Sequence, residues 1–257
     1  MEEKIPLSVV VLTKNEESCI FACLDSVKWA DEIIVVDDES TDRTVEIVKQ
    51  FTDKIFIKKM DVEGRHRNWA YAKGRNNWVL SLDADEKVTD ELRRDIAVAI
   101  KSNDFVAFSI PLRNYISNYW VRYGGWYPAS KVRLFRKDKF RYEEAEVHPR
   151  VFIEGNCGHL NSDIIHKGYP DLEHFLSSIN RQSTLEAIKW INTGRRMTLL
   201  RIVWRIVDRF FRRYLRKNGY KDGLYGFMIA YFDSFYQLLS YAKFREMKNK
   251  SGMKGNL

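Results

Sequence analysis

Through its first hundred residues the chain alternates short apolar, β-branched runs with stretches of helical spacing. The runs at 7–13, 32–37, 54–58 and 78–82 have the length and composition of buried strands. The stretches at 16–27, 44–51, 66–73 and 89–102 carry apolar residues at helical intervals, the last with Thr89 as N-cap. Parallel strands need long crossovers, usually helices, and these cover the faces of the sheet. The expected fold is therefore α/β, a Rossmann-like, mostly parallel sheet with helices on both faces. In such sheets ligands sit at the carboxyl ends of the strands.

Those strand ends are where the polar residues collect. The fourth run, Trp78-Val79-Leu80-Ser81-Leu82, stops abruptly in Asp83-Ala84-Asp85-Glu86. Two aspartates one residue apart can hold a hard divalent cation, and such a cation suits a diphosphate. The first run ends in Thr13-Lys14-Asn15-Glu16, whose polar groups either hydrogen-bond a base and ribose or simply cap the next helix. The second ends in Asp37-Asp38-Glu39-Ser40-Thr41-Asp42. Clustered acids repel unless cations or donors offset them, so this is either a binding edge or a capped turn. Arg65-His66-Arg67-Asn68 follows the third run and either grips phosphate oxygens or starts a solvated helix.

From residue 105 the pattern changes. Strands are expected at 105–112 and 132–136, around an aromatic loop with Tyr119, Trp120, Tyr123, Trp126 and Tyr127. Residues 140–153 read as irregular, and Ile164-Ile165-His166 closes the sheet-forming region. Helices are expected at 172–193, 197–218 and 224–248. The organisation read from this is a catalytic domain at 1–170, split into a nucleotide-binding half (1–102) and an acceptor half (103–170). A C-terminal helical extension covers 171–250, and 251–257 read as disordered.

The net charge of +8 suggests an anionic partner, and its location narrows the choice. Between 195 and 217 there are nine basic residues and one acid, Asp208, so this segment carries as much net charge as the whole chain. Arg201, Arg205, Arg209, Arg212 and Arg216 recur at spacings of four or three and form one helical stripe. Such a basic, aromatic, amphipathic helix can lie in a membrane interface with its arginines on lipid phosphates. The alternatives are a solvated stripe or a grip on a phosphorylated acceptor. No nucleic-acid-binding motif accompanies it, so nucleic acid is not the expected partner. No run of 18 uncharged apolar residues marks a membrane span, and Met1-Glu2-Glu3-Lys4 does not read as a signal peptide. Cys19, Cys23 and Cys157 are odd in number and lack a CxxC pair, so they read as reduced thiols of a cytoplasmic protein.

SVVVLTKNEE (8–17), EIIVVDDESTD (32–42), HRNWA (66–70) and WVLSLDADE (78–86) together resemble the family 2 glycosyltransferases, which have the GT-A fold. VRLFR (132–136), Val147-His148, IIHKGY (164–169) and Tyr214 followed by 218–226 resemble a bacterial subgroup of lipopolysaccharide core assembly. That subgroup often has His-Glu where this chain has His148-Pro149. The resemblance implies a nucleotide-sugar donor, a UDP-sugar first of all, and a lipopolysaccharide-core or other lipid-linked glycan acceptor. Thr13, Asn15, Glu16 and Asp38 would line the nucleoside pocket, with Arg67 near the base or diphosphate. Asp83 would approach ribose and metal, and Asp85 would ligate Mg²⁺ or Mn²⁺. His166 is either a further metal or diphosphate contact or a core histidine.

Inverting transfer needs one carboxylate to take the acceptor's proton. Glu143-Glu144-Ala145-Glu146 lies where the family places that base. Glu146 is favoured because it adjoins Val147-His148, with Glu144 and Glu143 as alternatives. The expected location is the cytoplasmic side, peripheral on the inner face of the bacterial cytoplasmic membrane. Other readings are a polyprenyl-phosphate glycosyltransferase and a non-catalytic membrane-surface nucleotide-binding module.

Overall fold

The computed structural model describes residues 4–144 and 150–250. The chain divides into two compact units, Met1–Arg113 with Ala129–His166, and Asn114–Pro128 with Lys167–Leu257. The boundary near 170 thus falls at 166, and the aromatic loop expected in the acceptor half belongs to the helical unit instead. The tail at 251–257 lies outside the described residues.

The first unit begins β1 (Ile5–Thr13), α1 (Ile20–Asp25), β2 (Ala30–Asp37), α2 (Thr44–Val48), β3 (Ile55–Ile57), α3 (Glu63–Tyr71) and β4 (Trp78–Asp83). It continues through β5 (Glu86–Val88), α4 (Asp90–Ala99) and β6 (Ala107–Ile110). The chain passes into the second unit within β7 (Leu112–Ile116), which pairs with β8 (Tyr119–Trp120). It returns for β9 (Lys131–Arg136), β10 (Phe140–Tyr142), β11 (Val151–Ile153) and β12 (Cys157–His159), and leaves again within β13 (Ile164–Tyr169). Residues 140–153 are not irregular throughout, because β10 and β11 form an antiparallel pair.

The main sheet has the order β12-β6-β9-β4-β1-β2-β3. Among the described residues only β9 of this sheet runs against its neighbours, β4 and β6. Successive side chains of a strand face opposite ways, so a sheet covered on both faces needs strands apolar at every position. Leu7, Val9 and Val11 of β1 join Leu80 and Leu82 of β4 in one core, with Leu24 of α1 and Ile96 of α4. Val10, Ile34, Val36 and Val79 join Ala70 and Tyr71 of α3 in the other. Because β2 and β4 flank β1, the connections diverge there, and this switch of direction opens a crevice at the carboxyl edge.

The second unit is built on α5 (Leu172–Asn192), α6 (Leu199–Phe211) and α7 (Gly223–Lys250), with α7 packed against both of the others. Asp171 and Thr198 cap α5 and α6 through their side chains. The helix expected at 197–218 is not continuous. After α6 it widens to a π-helical turn at Arg212–Arg216, and Asn218 is left-handed with φ 55°. A 3₁₀ turn, Gly219–Asp222, then packs against the start of α7, where a Cβ on Gly226 would lie 1.8 Å from the Gly219 carbonyl oxygen. No other residue fits at 226. Asp222 is buried and accepts hydrogen bonds from the Tyr123 and Arg122 amides at 2.7 and 3.1 Å, tying the aromatic loop to this turn. No helix among the described residues is long and apolar enough to cross a membrane.

Candidate active site

Register brings the polar strand ends together. Thr13 lies opposite Asp37 across β1 and β2, and Leu12 lies opposite Asp83 across β1 and β4. The loops after β1 and β2 then interlock. The Asn15 amide donates to the Ser40 hydroxyl at 2.8 Å, and Asn15 Oδ1 accepts from the Thr41 amide at 2.8 Å. The Glu16 amide donates to Thr44 Oγ1 at 2.8 Å. Asn15 and Glu39 both have φ 54°, the left-handed region that costs a glutamate more than an asparagine. Such strain persists where the surroundings over-determine it, and it concentrates at functional edges.

Asp38 is fixed by Lys14 Nζ at 2.8 Å and the Met60 amide at 2.8 Å. Burial opposes its ionisation, but these donors outweigh it and hold the carboxyl below its ordinary range. Thr13 Oγ1 is buried at the edge and has no hydrogen-bond partner among the described residues. A buried hydroxyl left unpaired costs stability unless a ligand completes it. Thr13, Asn15, Glu16 and Asp38 thus share one edge, as the strand pattern requires.

Beside them the acids sort into two groups. Asp83 gives one oxygen to Arg67 Nη2 at 3.2 Å and the other to Arg133 Nη2 at 2.6 Å. Burial opposes its charge, yet the two guanidiniums hold the carboxyl well below the usual carboxylate range. Arg133 also pairs with Glu86, and both are buried. Glu86 in turn accepts from the Asp83 amide at 3.0 Å. Asp85 lies outside this network and faces His166, whose Nε2 is 3.1 Å from its Oδ2. His166 reaches it because β13 pairs with β5, setting His166 opposite Glu86. Burial opposes protonation of this imidazole, but Asp85 outweighs it and raises the pKa. Half-buried Glu16 is pushed up to about 7, by burial first and then by the charges of Asp85, Asp42 and Asp83.

This arrangement bears on a divalent ion. Among the described residues no three His, Cys, Asp or Glu side chains group closely enough to hold a metal by themselves. Both oxygens of Asp83, the residue expected to reach ribose and metal, are already engaged. Asp85 and His166 do fit. Octahedral ligand distances of about 2.1 Å put neighbouring donors about 3 Å apart, and a carboxylate with an imidazole suits Mn²⁺ or Mg²⁺ when phosphate oxygens supply other positions.

The family model described as Glycosyl transferase family 2 matches residues 8–157, more than half of the chain. The chain belongs to glycosyltransferase family 2. It is an enzyme of glycosyl transfer with the GT-A fold. It is 27% identical over 251 residues to the lipopolysaccharide core biosynthesis glycosyltransferase LpsC of Rhizobium meliloti (strain 1021), covering 95% of this chain and 93% of that protein. It is 27% identical over 265 residues to the uncharacterized glycosyltransferase RT0209 of Rickettsia typhi (strain ATCC VR-144 / Wilmington), covering 95% and 88%. A crystal structure of S. aureus TarS 1-349 in complex with UDP aligns over 96% of this chain and 91% of that one, with 18% identity and a TM-score of 0.47.

In this glycosyltransferase the glutamates proposed as base separate clearly. Glu143 is bidentate to Arg150, at 2.6 Å to Nη2, and that partner lowers its carboxyl to about 2. Glu144 pairs with Arg65 at 3.1 Å, both exposed. Glu146 lies outside the described residues, as do Val147 and His148. The residue the sequence reading missed is Arg133. Its signal was present: a single arginine in the apolar strand 132–135 must find an acid, and β9 pairs with the strand that ends in Asp83. The arginine stripe also divides. Arg201, Arg212 and Arg216 are exposed, whereas Arg205 and Arg209 are half-buried against α7 through Gln237 and Asp233.

Proposed function

We propose that the enzyme transfers a sugar from a nucleotide-sugar donor, with inversion, onto a lipopolysaccharide-core or other lipid-linked glycan acceptor. The observation that carries this is the single carboxyl edge shared by Thr13, Asn15, Asp38 and Asp85–His166, in a chain that resembles LpsC over nearly its whole length. The loops after β1 and β2 hold the nucleoside, with Thr13 Oγ1 and the Asp38 carboxylate as its polar partners. Asp83, held in place by Arg67 and Arg133, approaches the ribose side of the donor. Asp85 and His166 would hold Mg²⁺ or Mn²⁺, and the bound ion would act as a Lewis acid for the leaving diphosphate. Glu146 takes the proton of the acceptor hydroxyl as its oxygen attacks the anomeric carbon. The arginine partners of Glu143 and Glu144 support that choice, since a carboxylate held by a guanidinium is a weaker base.

A calorimetric screen of nucleotide sugars, UDP-sugars first, with and without Mn²⁺, identifies the donor, and product analysis with heptose-containing core against polyprenyl phosphate identifies the acceptor. Asp85→Ala is expected to remove the Mn²⁺-dependent part of donor binding and leave the fold intact. Metal-dependent binding equal to wild type rejects Asp85 as a ligand.

The enzyme docks on an anionic bilayer through α6. Leu200 and Trp204 are 81% and 69% exposed, and Val203, Val207 and Phe211 are exposed on the same face. Exposed Arg201 and Arg212 flank this face and Arg216 follows it, so apolar insertion and attraction to lipid phosphates act together. Each basic residue near an anionic surface contributes about 1 kcal/mol, so removing all three charges should weaken vesicle binding roughly a hundredfold. Cosedimentation with phosphatidylglycerol vesicles measures this. Equal sedimentation of Arg201→Gln/Arg212→Gln/Arg216→Gln and wild type rejects the docking face.

A further inference from the structure

The second unit contains a cavity of about 380 Å³ that the chemistry at the sheet edge does not use. That volume lies in the range of small-ligand sites. Trp126 of the aromatic loop lines it beside Tyr169 and Phe175, the ring centroids 5.9 and 6.1 Å from that of Trp126. The other wall is polar, with Gln182 and Glu186 from α5, arginines 205, 209 and 213, and Asp233 and Gln237 from α7.

The charges in this wall do not balance. Arg213 donates to Asp233 at 2.6 Å and to the Gly124 carbonyl at 2.6 Å. Arg209 approaches the same Asp233 oxygen at 3.5 Å. Glu186 accepts from the Trp190 indole at 2.7 Å. Arg205 donates only to an uncharged group, Gln237 Oε1, at 2.8 Å, and among the described residues no carboxylate pairs with it. Burial, then the neighbouring Arg195 and Arg209, pulls its pKa down. Gln237 is itself 1% exposed, and its amide nitrogen has no partner among the described residues. The Glu186 charge and the Trp190 ring, 5.6 Å from the guanidinium, offset the burial of Arg205 only in part. A half-buried guanidinium with no carboxylate at ion-pair distance is costly, and an anion entering the cavity would relieve that cost.

We propose that this cavity is a subsite for an anionic saccharide, a sugar unit bearing a phosphate or a carboxylate. Arg205 meets the anion, Gln182 and Gln237 meet hydroxyls, and the aromatic wall packs against the ring. The assignment rests on the glycan-acceptor reading above and names the acceptor's chemistry. A lipid headgroup is a poorer occupant, because Arg205 and Arg209 are half-buried against α7 through Gln237 and Asp233, whereas Leu200, Trp204 and Phe211 are exposed.

Calorimetry on the full chain tests this with glucose 6-phosphate, glucuronate, glucose and inorganic phosphate as probes. Glucose 6-phosphate and glucuronate should bind at least tenfold more tightly than glucose or inorganic phosphate. Arg205→Met and Trp126→Ala should each weaken them tenfold or more, while exposed Arg201→Met binds as wild type and Mn²⁺-dependent nucleotide-sugar binding is unchanged. Absent binding to wild type, or undiminished binding to Arg205→Met, overturns the proposal. Inorganic phosphate binding as tightly as the sugar phosphate reduces the cavity to an anion site and overturns it too. So does displacement of glucose 6-phosphate by phosphatidylglycerol vesicles, which would assign the site to lipid. If the acceptor reading alone is wrong, the sugar acids still bind through Arg205 but no glycan acceptor is glycosylated.

Discussion

Arg133→Met is expected to destabilise the first unit by about 3–5 kcal/mol, the range found when one partner of a buried ion pair is removed. The wild-type arginine is 2% exposed and bridges Asp83 to the fully buried Glu86. Burial works against its charge, and the two carboxylates outweigh that and raise its pKa. Methionine fills a similar volume, so the packing of β9 between β4 and β6 survives and the loss isolates the charge. What remains is a buried Glu86 with no guanidinium, already pushed above its ordinary range by burial and the neighbouring Asp83 charge. Asp83 keeps only Arg67, at 3.2 Å. Denaturant unfolding followed by a probe in the first unit measures the change. Arg133→Met/Glu86→Gln should recover part of the loss, because a neutral amide costs less to bury unpaired than a carboxylate. A midpoint shift worth under about 0.5 kcal/mol, as for an ordinary surface substitution, would show that the triad contributes nothing to folding.

The sheet was legible because its strands are apolar on both faces. A run such as Val9-Val10-Val11 has no period, only a length and a β-branched composition, and a doubly covered strand has that form. The carboxyl edge was legible for the same reason, since each apolar run ends where acids and hydroxyls begin. Pairing across distant segments was not. Nothing local in Ile164-Ile165-His166 tells that β13 lies against β5 and delivers His166 to Asp85. Nor does the Asp83-Ala84-Asp85 spacing tell that its two aspartates part company, one locked by guanidiniums and one facing an imidazole. The arginine stripe misled in a simpler way. Helical spacing fixes which residues share a side, but not whether solvent or another helix lies there. Arg205 and Arg209 turned out to face α7, while Arg201, Arg212 and Arg216 stay exposed beside the apolar residues.

Glu146→Gln is expected to lower kcat by two to four orders of magnitude while leaving nucleotide-sugar affinity within about twofold, the range attributed to a positioned general base. Glutamine keeps the shape and hydrogen-bonding reach of the side chain but cannot accept the acceptor's proton. Donor binding is assigned to other residues on the β1, β2 and β4 edge, so affinity should not follow the rate. The neighbours supply the control. Glu143 is tied to Arg150 and lowered to about 2, which makes it a poor proton acceptor near neutral pH. Glu144 is exposed and paired with Arg65, and exposed pairs of this kind contribute at most about 1 kcal/mol. Glu143→Gln and Glu144→Gln should therefore change kcat less than tenfold. Steady-state rates for the three variants, with the donor and acceptor found by screening, decide among them. A Glu146→Gln rate near wild type beside a Glu144→Gln collapse would move the base two residues earlier. Near-normal rates for all three would remove it from this segment, and the proton would have to leave through a carboxylate at the sheet edge, with half-buried Glu16 the first to replace.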